Sequence, residues 1–103
     1  MRIEEEVKLD YSDVLFRPKR STLSSRKDVD LKRTYRFKHS NNEWSGIPIM
    51  AANMDGVGEL TVAETLSEYG MITSLTKQHD VMKIKKFKKI KSIYQNIALS
   101  IGI

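Results

Sequence analysis

Asn53, Met54 and Asp55 follow a short run of small or apolar residues, "IPIMAA" (47 to 52), and lead into Gly56 and Gly58. An amide, a thioether and a carboxylate at the tip of a buried strand are groups that could serve a ligand. A second cluster, "LSSRKD" (23 to 28), is hydroxyl-rich and basic, and such a loop can hold a phosphate because arginine supplies a planar fork of donors. Each cluster also has a plainer reading. Asn53 and Asp55 can satisfy turn backbone while Gly56 and Gly58 supply permissive dihedrals, and most loops like the second are solvated turns. His39 and His79 have no second ligand at metal spacing and read as exposed or capping histidines. The chain has no cysteine, which excludes disulfides, a thiolate nucleophile and a cysteine-based metal site within it.

The elements that must position these groups follow a rhythm. Ile47 to Ala52 predicts a strand with Pro48 at its start, a tolerated place for a residue that cannot donate to a ladder. Thr61 with Glu64 has the spacing of a capping box, opening a helix that Gly70 can end in the left-handed conformation. "MITSL" (71 to 75) predicts a second strand, "DVMKIKKFKKIKSIY" (80 to 94) a second helix capped by Asp80, and "NIALSIGI" (96 to 103) a third strand. Strands joined by single crossover helices are parallel, and in such sheets chemistry collects where strands end and loops begin. Spacing of about 24 residues per unit suits a (β/α)8 barrel or a doubly wound sheet alike. Before this core, Val29, Leu31, Tyr35 and Phe37 alternate with polar neighbours as a half-exposed strand does. An apolar third strand with no helix behind it leaves much of the sheet bare. The expectation is therefore the opening part of a longer protein, with residues 1–46 as an arm and 47–103 as the first βαβαβ units.

Composition and charge narrow the class. Of the 103 residues, 40% are hydrophobic and 30% charged, which is ordinary globular composition, not disorder. The formal charge is +5, but six lysines lie between Lys83 and Lys91, and without those six it would be −1. Basicity thus belongs to one segment, in which Val81, Ile84, Phe87, Ile90 and Tyr94 form one apolar helical stripe with lysines on the other faces. The plain reading is the solvated face of a core-packing helix. A membrane-surface or nucleic-acid helix is the other, and Phe87 and Tyr94 on the inward stripe argue against base stacking. The acidic N-terminus has no apolar core of signal-peptide type, and no run approaches the ~20 apolar residues of a membrane span. These features predict a cytoplasmic protein.

The segments "DVLFRPKRSTLSSR" (13 to 26), "FKHS" (37 to 40), "WSGIPIMAANMDGVG" (44 to 58) and the Lys77 turn resemble, in order and in register, the N-terminal part of the IMP dehydrogenase and GMP reductase family. The resemblance covers the whole chain. It implies α/β architecture of the (β/α)8 TIM-barrel type preceded by an N-terminal arm, and assembly as a homotetramer. Tyr94 and Gln95 lead directly to Asn96 with no regulatory insert, which together with the "FKHS" and "NMDGVG" wording favours the reductase branch. That branch converts GMP to IMP and ammonia by reductive deamination with NADPH. An IMP dehydrogenase lacking the insert, or a non-catalytic basic module or remnant, are the alternatives.

By the same resemblance, Ser25 and Arg26 match a serine and an arginine that contact NADPH, and Lys77 matches a lysine of the same site. These types suit phosphate groups, a guanidinium fork beside an ammonium point charge. The cofactor site of the family draws on neighbouring subunits. Met54 resembles a methionine lying against the purine, a role its adaptable thioether suits, with Asn53 and Asp55 beside it. Two departures stand out: Gly56 where the family generally has Thr, and "TKQHD" (76 to 80) in place of a histidine-flanked lysine. The family's catalytic cysteine with its threonine and glutamate partners, its phosphate-binding loops and the cysteine loop that can hold potassium or another monovalent cation all belong to later strands. The expectation is that these 103 residues alone have no reductase activity and bind neither nucleic acid nor membrane.

Overall fold

The computed structural model describes residues 3–102. Two separate sheets organise the chain: an antiparallel pair, β1 (Arg33–Arg36) with β2 (Glu43–Gly46), and a parallel sheet of β3 (Met50–Ala51), β4 (Ile72–Leu75) and β5 (Ile97–Leu99) in that spatial order. Helix α1 (Leu60–Glu68) connects β3 to β4, and α2 (Val81–Lys86) with α3 (Ile90–Ile93) connects β4 to β5. The predicted strand–helix–strand–helix–strand order and its parallel pairing are both present: Ala51 lies opposite Thr73, and Leu75 opposite Leu99.

The core forms where the helices cross one face of β4. Leu75, Ala63 from α1, Ile84 from α2 and Ile93 from α3 are buried, and Leu60, Phe87, Ile90 and Ile97 pack around them. Alternation along β4 puts Thr73 and Leu75 on this helix face, both fully buried, and turns Ile72 and Ser74 to the other. That other face is partly open: the Ser74 hydroxyl meets the sulfur of Met50, which is 56% exposed.

Several expected boundaries move. Of residues 47–52 only Met50–Ala51 pair as a strand. Pro48 has no N–H, and the Ile49 N–H turns back to the Ile47 carbonyl, so the ladder starts late, although Ile49 still accepts from the Ile72 N–H at 3.0 Å. Helix α1 begins one residue before Thr61, with Glu59 in the cap position and no side-chain cap bond, and Glu64 reaches Lys89 instead of closing a capping box. Gly70 takes φ 68°, the left-handed conformation expected of it, just past the end of α1. The third strand is Ile97–Leu99; Ile101 is exposed, and Ile103 lies outside the described residues.

The lysine-rich helix is capped by Asp80 as expected, its carboxylate accepting from the Lys83 N–H at 2.7 Å, but it breaks at Phe87, whose φ −68° and ψ 120° are extended. The break changes the register of the apolar stripe. Ile93 is buried where Tyr94 was expected, while Tyr94 and Val81 are exposed, so Tyr94 gives no argument against stacking. Lys89 pairs with Glu64 across α3 and α1, and the hydrogen bond and charge of Glu64 raise the Lys89 ammonium above the ordinary lysine value. Any contribution of this exposed pair is present below that ordinary value and is lost as pH rises through the raised one.

Within residues 3–46 the alternation of Val29, Leu31, Tyr35 and Phe37 becomes a strand only over Arg33–Arg36, and all four side chains remain exposed. Its partner β2 was not foreseen. The "FKHSNN" connection (37 to 42) joins the two, with Asn41 at φ 57° and the Phe37 N–H bonded to the Asn42 carbonyl at 2.9 Å. Tyr35 stacks on Trp44 with ring centroids 6.4 Å apart. Trp44 is buried and ties the hairpin to the parallel sheet: its indole N–H donates to Asn96 Oδ1 at 2.9 Å, and Asn96 Nδ2 donates to the Ser67 hydroxyl at 2.8 Å. No helix among the described residues is long and apolar enough to cross a membrane.

Thr73 is fully buried, and among the described residues nothing reaches its hydroxyl. An orphaned buried hydroxyl carries a desolvation cost that an apolar group of the same shape does not. Thr73→Val therefore raises stability by about 1 kcal/mol. The check is urea unfolding, where the midpoint moves up at unchanged slope; a lower midpoint means the hydroxyl has a partner.

Candidate functional site

Because β3, β4 and β5 are parallel, the loops that follow them leave the sheet at one edge. There they line a groove of about 360 Å³ formed by Asn53 and Asp55 after β3, Thr76, Lys77 and Gln78 after β4, and Ser100 and Ile101 after β5. Three of the residues singled out in the sequence, Asn53, Asp55 and Lys77, are thus brought together from loops more than 20 residues apart.

The turn after β3 is held mainly by main chain. The Met54 carbonyl accepts from the N–H groups of Val57 and Gly58, at 3.0 and 2.8 Å. The Asn53 side chain is used elsewhere: its amide donates to the Ser100 hydroxyl at 3.0 Å, reaching past β4 to brace the groove. Among the described residues no backbone N–H bonds to the Asp55 carboxylate, and Asp55 is one of the residues lining the groove. The left-handed dihedral of Gly56 agrees with the turn reading of this stretch, while the Asn53 side chain reaches across the sheet instead of satisfying its own turn. Met54 does not line the groove; its side chain is 62% exposed.

The two glycines have different reasons. Gly56 takes φ 76° with nothing within 4 Å of where a Cβ would sit, so dihedral freedom alone calls for glycine there. Gly58 has an ordinary backbone, against the expectation of a permissive dihedral. A Cβ on it would lie 2.4 Å from the Ser74 carbonyl, so close approach of the loop to β4 is its cause.

Lys77 and Gln78 are exposed at the groove, between two anchored neighbours. Thr76 is buried, and its N–H donates to the Gly58 carbonyl at 3.0 Å. His79, read from sequence as exposed or capping, is neither: its Nδ1 lies 3.0 Å from the Thr76 hydroxyl, its Nε2 lies 3.1 Å from Glu59 Oε2, and its side chain is only 12% exposed. Glu59, Thr76 and Ser100 were all missed. A usable signal existed for Thr76, since it directly follows the predicted strand 71–75 at the edge where sites form, whereas Ser100 fell inside the predicted strand 96–103.

Ser25 and Arg26 lie away from this groove, in a short 3-10 turn over Arg26–Asp28. The Ser25 hydroxyl accepts from the Lys27 N–H at 3.2 Å, and Asp28 reaches back to the Ser25 N–H at 3.0 Å, a reciprocal cap that shapes the loop. No ion pair among the described residues engages Arg26 or Lys77. The chain does not bring Lys77 and Arg26 together. His39 is exposed.

Gly56→Thr forces a β-branched residue into the left-handed region without a clash, so the cost is conformational. It lowers stability by about 1–2 kcal/mol, read as a drop in the urea midpoint; an unchanged midpoint means the loop relaxes to another dihedral at no cost.

The family model described as IMP dehydrogenase / GMP reductase domain matches residues 8–98. A Vibrio cholerae protein named GMP reductase is 49% identical over 104 residues, covering 99% of this chain and 30% of the relative. An Aliivibrio fischeri GMP reductase is 50% identical over the same shares. A Vibrio vulnificus GMP reductase is 53% identical over 89 residues, 86% of this chain and 26% of the relative. The chain spans about 30% of the length of the curated relatives it matches. On the extent of the family match, this chain belongs to the IMP dehydrogenase / GMP reductase family.

Proposed function

We propose that this chain supplies the N-terminal arm, residues 1–46, and the first three strands, residues 47–103, of a (β/α)8 GMP reductase. The enzyme converts GMP to IMP and ammonia in purine nucleotide interconversion, acting in the cytoplasm as a homotetramer. The observation that carries the reading is the convergence of Lys77 with Asn53 and Asp55 at the C-terminal edge of the parallel strands, the edge where barrel enzymes place their chemistry. The identity to proteins named GMP reductase supports GMP as the substrate. The direct passage from the Tyr94–Asn96 turn into β5 favours the reductase over the dehydrogenase branch, since no inserted module separates them.

In this reading NADPH supplies the hydride. Lys77 offers an ammonium to an anionic group of the cofactor, and the separation of Ser25 and Arg26 from the groove is explained if their turn serves the site of a neighbouring subunit. Asn53, braced on Ser100, and Asp55 form the floor of the nucleotide pocket, with Met54 free to pack on a purine. Potassium, if used, is held by later strands. The lysines of α2 and α3 are the solvated outer face of the layer.

Two outcomes test this. The 103-residue chain alone gives no GMP-dependent NADPH oxidation. A chimera in which it replaces the matching 30% of the Vibrio cholerae relative oxidises NADPH with GMP and yields IMP. A chimera that folds yet turns over only IMP with NAD+ would move the chain to the dehydrogenase branch.

A further inference from the structure

We propose that His79 is a positioning residue for Lys77: it clamps the loop after β4 to the entrance of α1 and so fixes where the lysine stands over the groove. The inference rests on the reading that Lys77 receives an anionic group of the cofactor. Lys77 and Gln78 occupy the two positions between Thr76 and His79, and both ends of that span are tied. At one end Thr76 is buried and hydrogen-bonded through its N–H to Gly58. At the other, the His79 N–H donates to the Thr76 carbonyl at 3.1 Å, closing the turn.

The imidazole adds a side-chain link to the start of α1 beside the backbone bond from Thr76 to Gly58. Glu59 stands in the cap position of α1 with φ −114° and ψ 154°, yet its carboxylate bonds to no helix N–H. It lies instead 3.1 Å from His79 Nε2, while Nδ1 meets the Thr76 hydroxyl at 3.0 Å. The arrangement is satisfied in either charge state. A neutral ring protonated on Nε2 donates to Glu59 and accepts from the Thr76 hydroxyl; a protonated ring donates to both. A third tie comes from α2, where Lys83 Nζ donates to the Gln78 carbonyl at 3.2 Å. With its flanks held, Lys77 has little backbone freedom left to lose when an anion arrives, the condition under which a charged contact contributes most to binding.

Two measurements decide it. In the full chain, ¹⁵N relaxation reports backbone order at Lys77 and Gln78. For wild type the order parameter is expected near 0.85, falling below about 0.6 in His79→Ala while Ile72–Leu75 stay rigid. His79→Gln, whose amide can still donate to Glu59, recovers most of the order. Unchanged order at Lys77 in His79→Ala, or a loss that spreads through β4, overturns the proposal. In the chimera described above, His79→Ala raises the KM for NADPH about tenfold with kcat within about threefold, as loss of uniform binding requires. Lys77→Met separates the two ideas. If it leaves the KM unchanged, the cofactor reading of Lys77 fails while the relaxation data still judge the clamp. If it raises the KM and His79→Ala does not, the clamp is wrong and the cofactor reading stands.

Discussion

Strand β4 is hydrogen-bonded on both sides to strands running in its own direction, and its Leu75 carries the centre of the core against Ala63, Ile84 and Ile93. A parallel arrangement obliges each connection to cross back over the sheet, so the crossover helices have one face to cover and the loops after the strands have one edge to share. The groove follows from that obligation. Asn53, Lys77 and Ser100 are separated by more than 20 residues each in the chain, and they meet because three strands point the same way.

At that edge the main chain does most of the shaping and leaves side chains available. Met54 turns the chain through its carbonyl, Gly58 lets the loop close against Ser74, and the Gly58 carbonyl in turn fixes Thr76. Side chains that do brace the rim reach across elements: Asn53 to Ser100, His79 to Glu59. The opposite end is tied in the same way, by Trp44 through Asn96 to Ser67, which fastens the hairpin to the sheet with one buried indole. The charge of the chain plays little part in either end; the lysines of α2 and α3 are exposed, and only Lys89 reaches a carboxylate, on α1.

Reading the sequence located β4, α1 and the order of the parallel units, because Gly70 marks the helix end and Met71, Ile72 and Leu75 with the β-branched Thr73 follow it as a short strand-forming segment. It misjudged elements whose limits are set by partners far away. The lysine-rich helix has an unbroken helical stripe on paper, yet it yields at Phe87, and burial passes from Tyr94 to Ile93. Thr61 and Glu64 have capping spacing, but Glu59 is held by His79 and Glu64 by Lys89, contacts invisible to a local pattern. The hairpin strand Glu43–Gly46 offers only four residues, two of them buried by a neighbour the sequence does not name.

By itself the sequence determined the types of group available and their place at strand tips: an amide, a thioether and a carboxylate after one apolar run, and a lysine after the next. Local periodicity and turn chemistry act over a few residues, and these features are local. Only the tertiary structure decided which of them face one another. It drew Asn53, Asp55 and Lys77 into a single groove, left Met54 outside it, kept Ser25 and Arg26 apart, and placed His79 against Glu59. Side-chain partnerships across a parallel sheet depend on register and on crossover packing, and those are settled by burial of the shared helix face, not by any one segment.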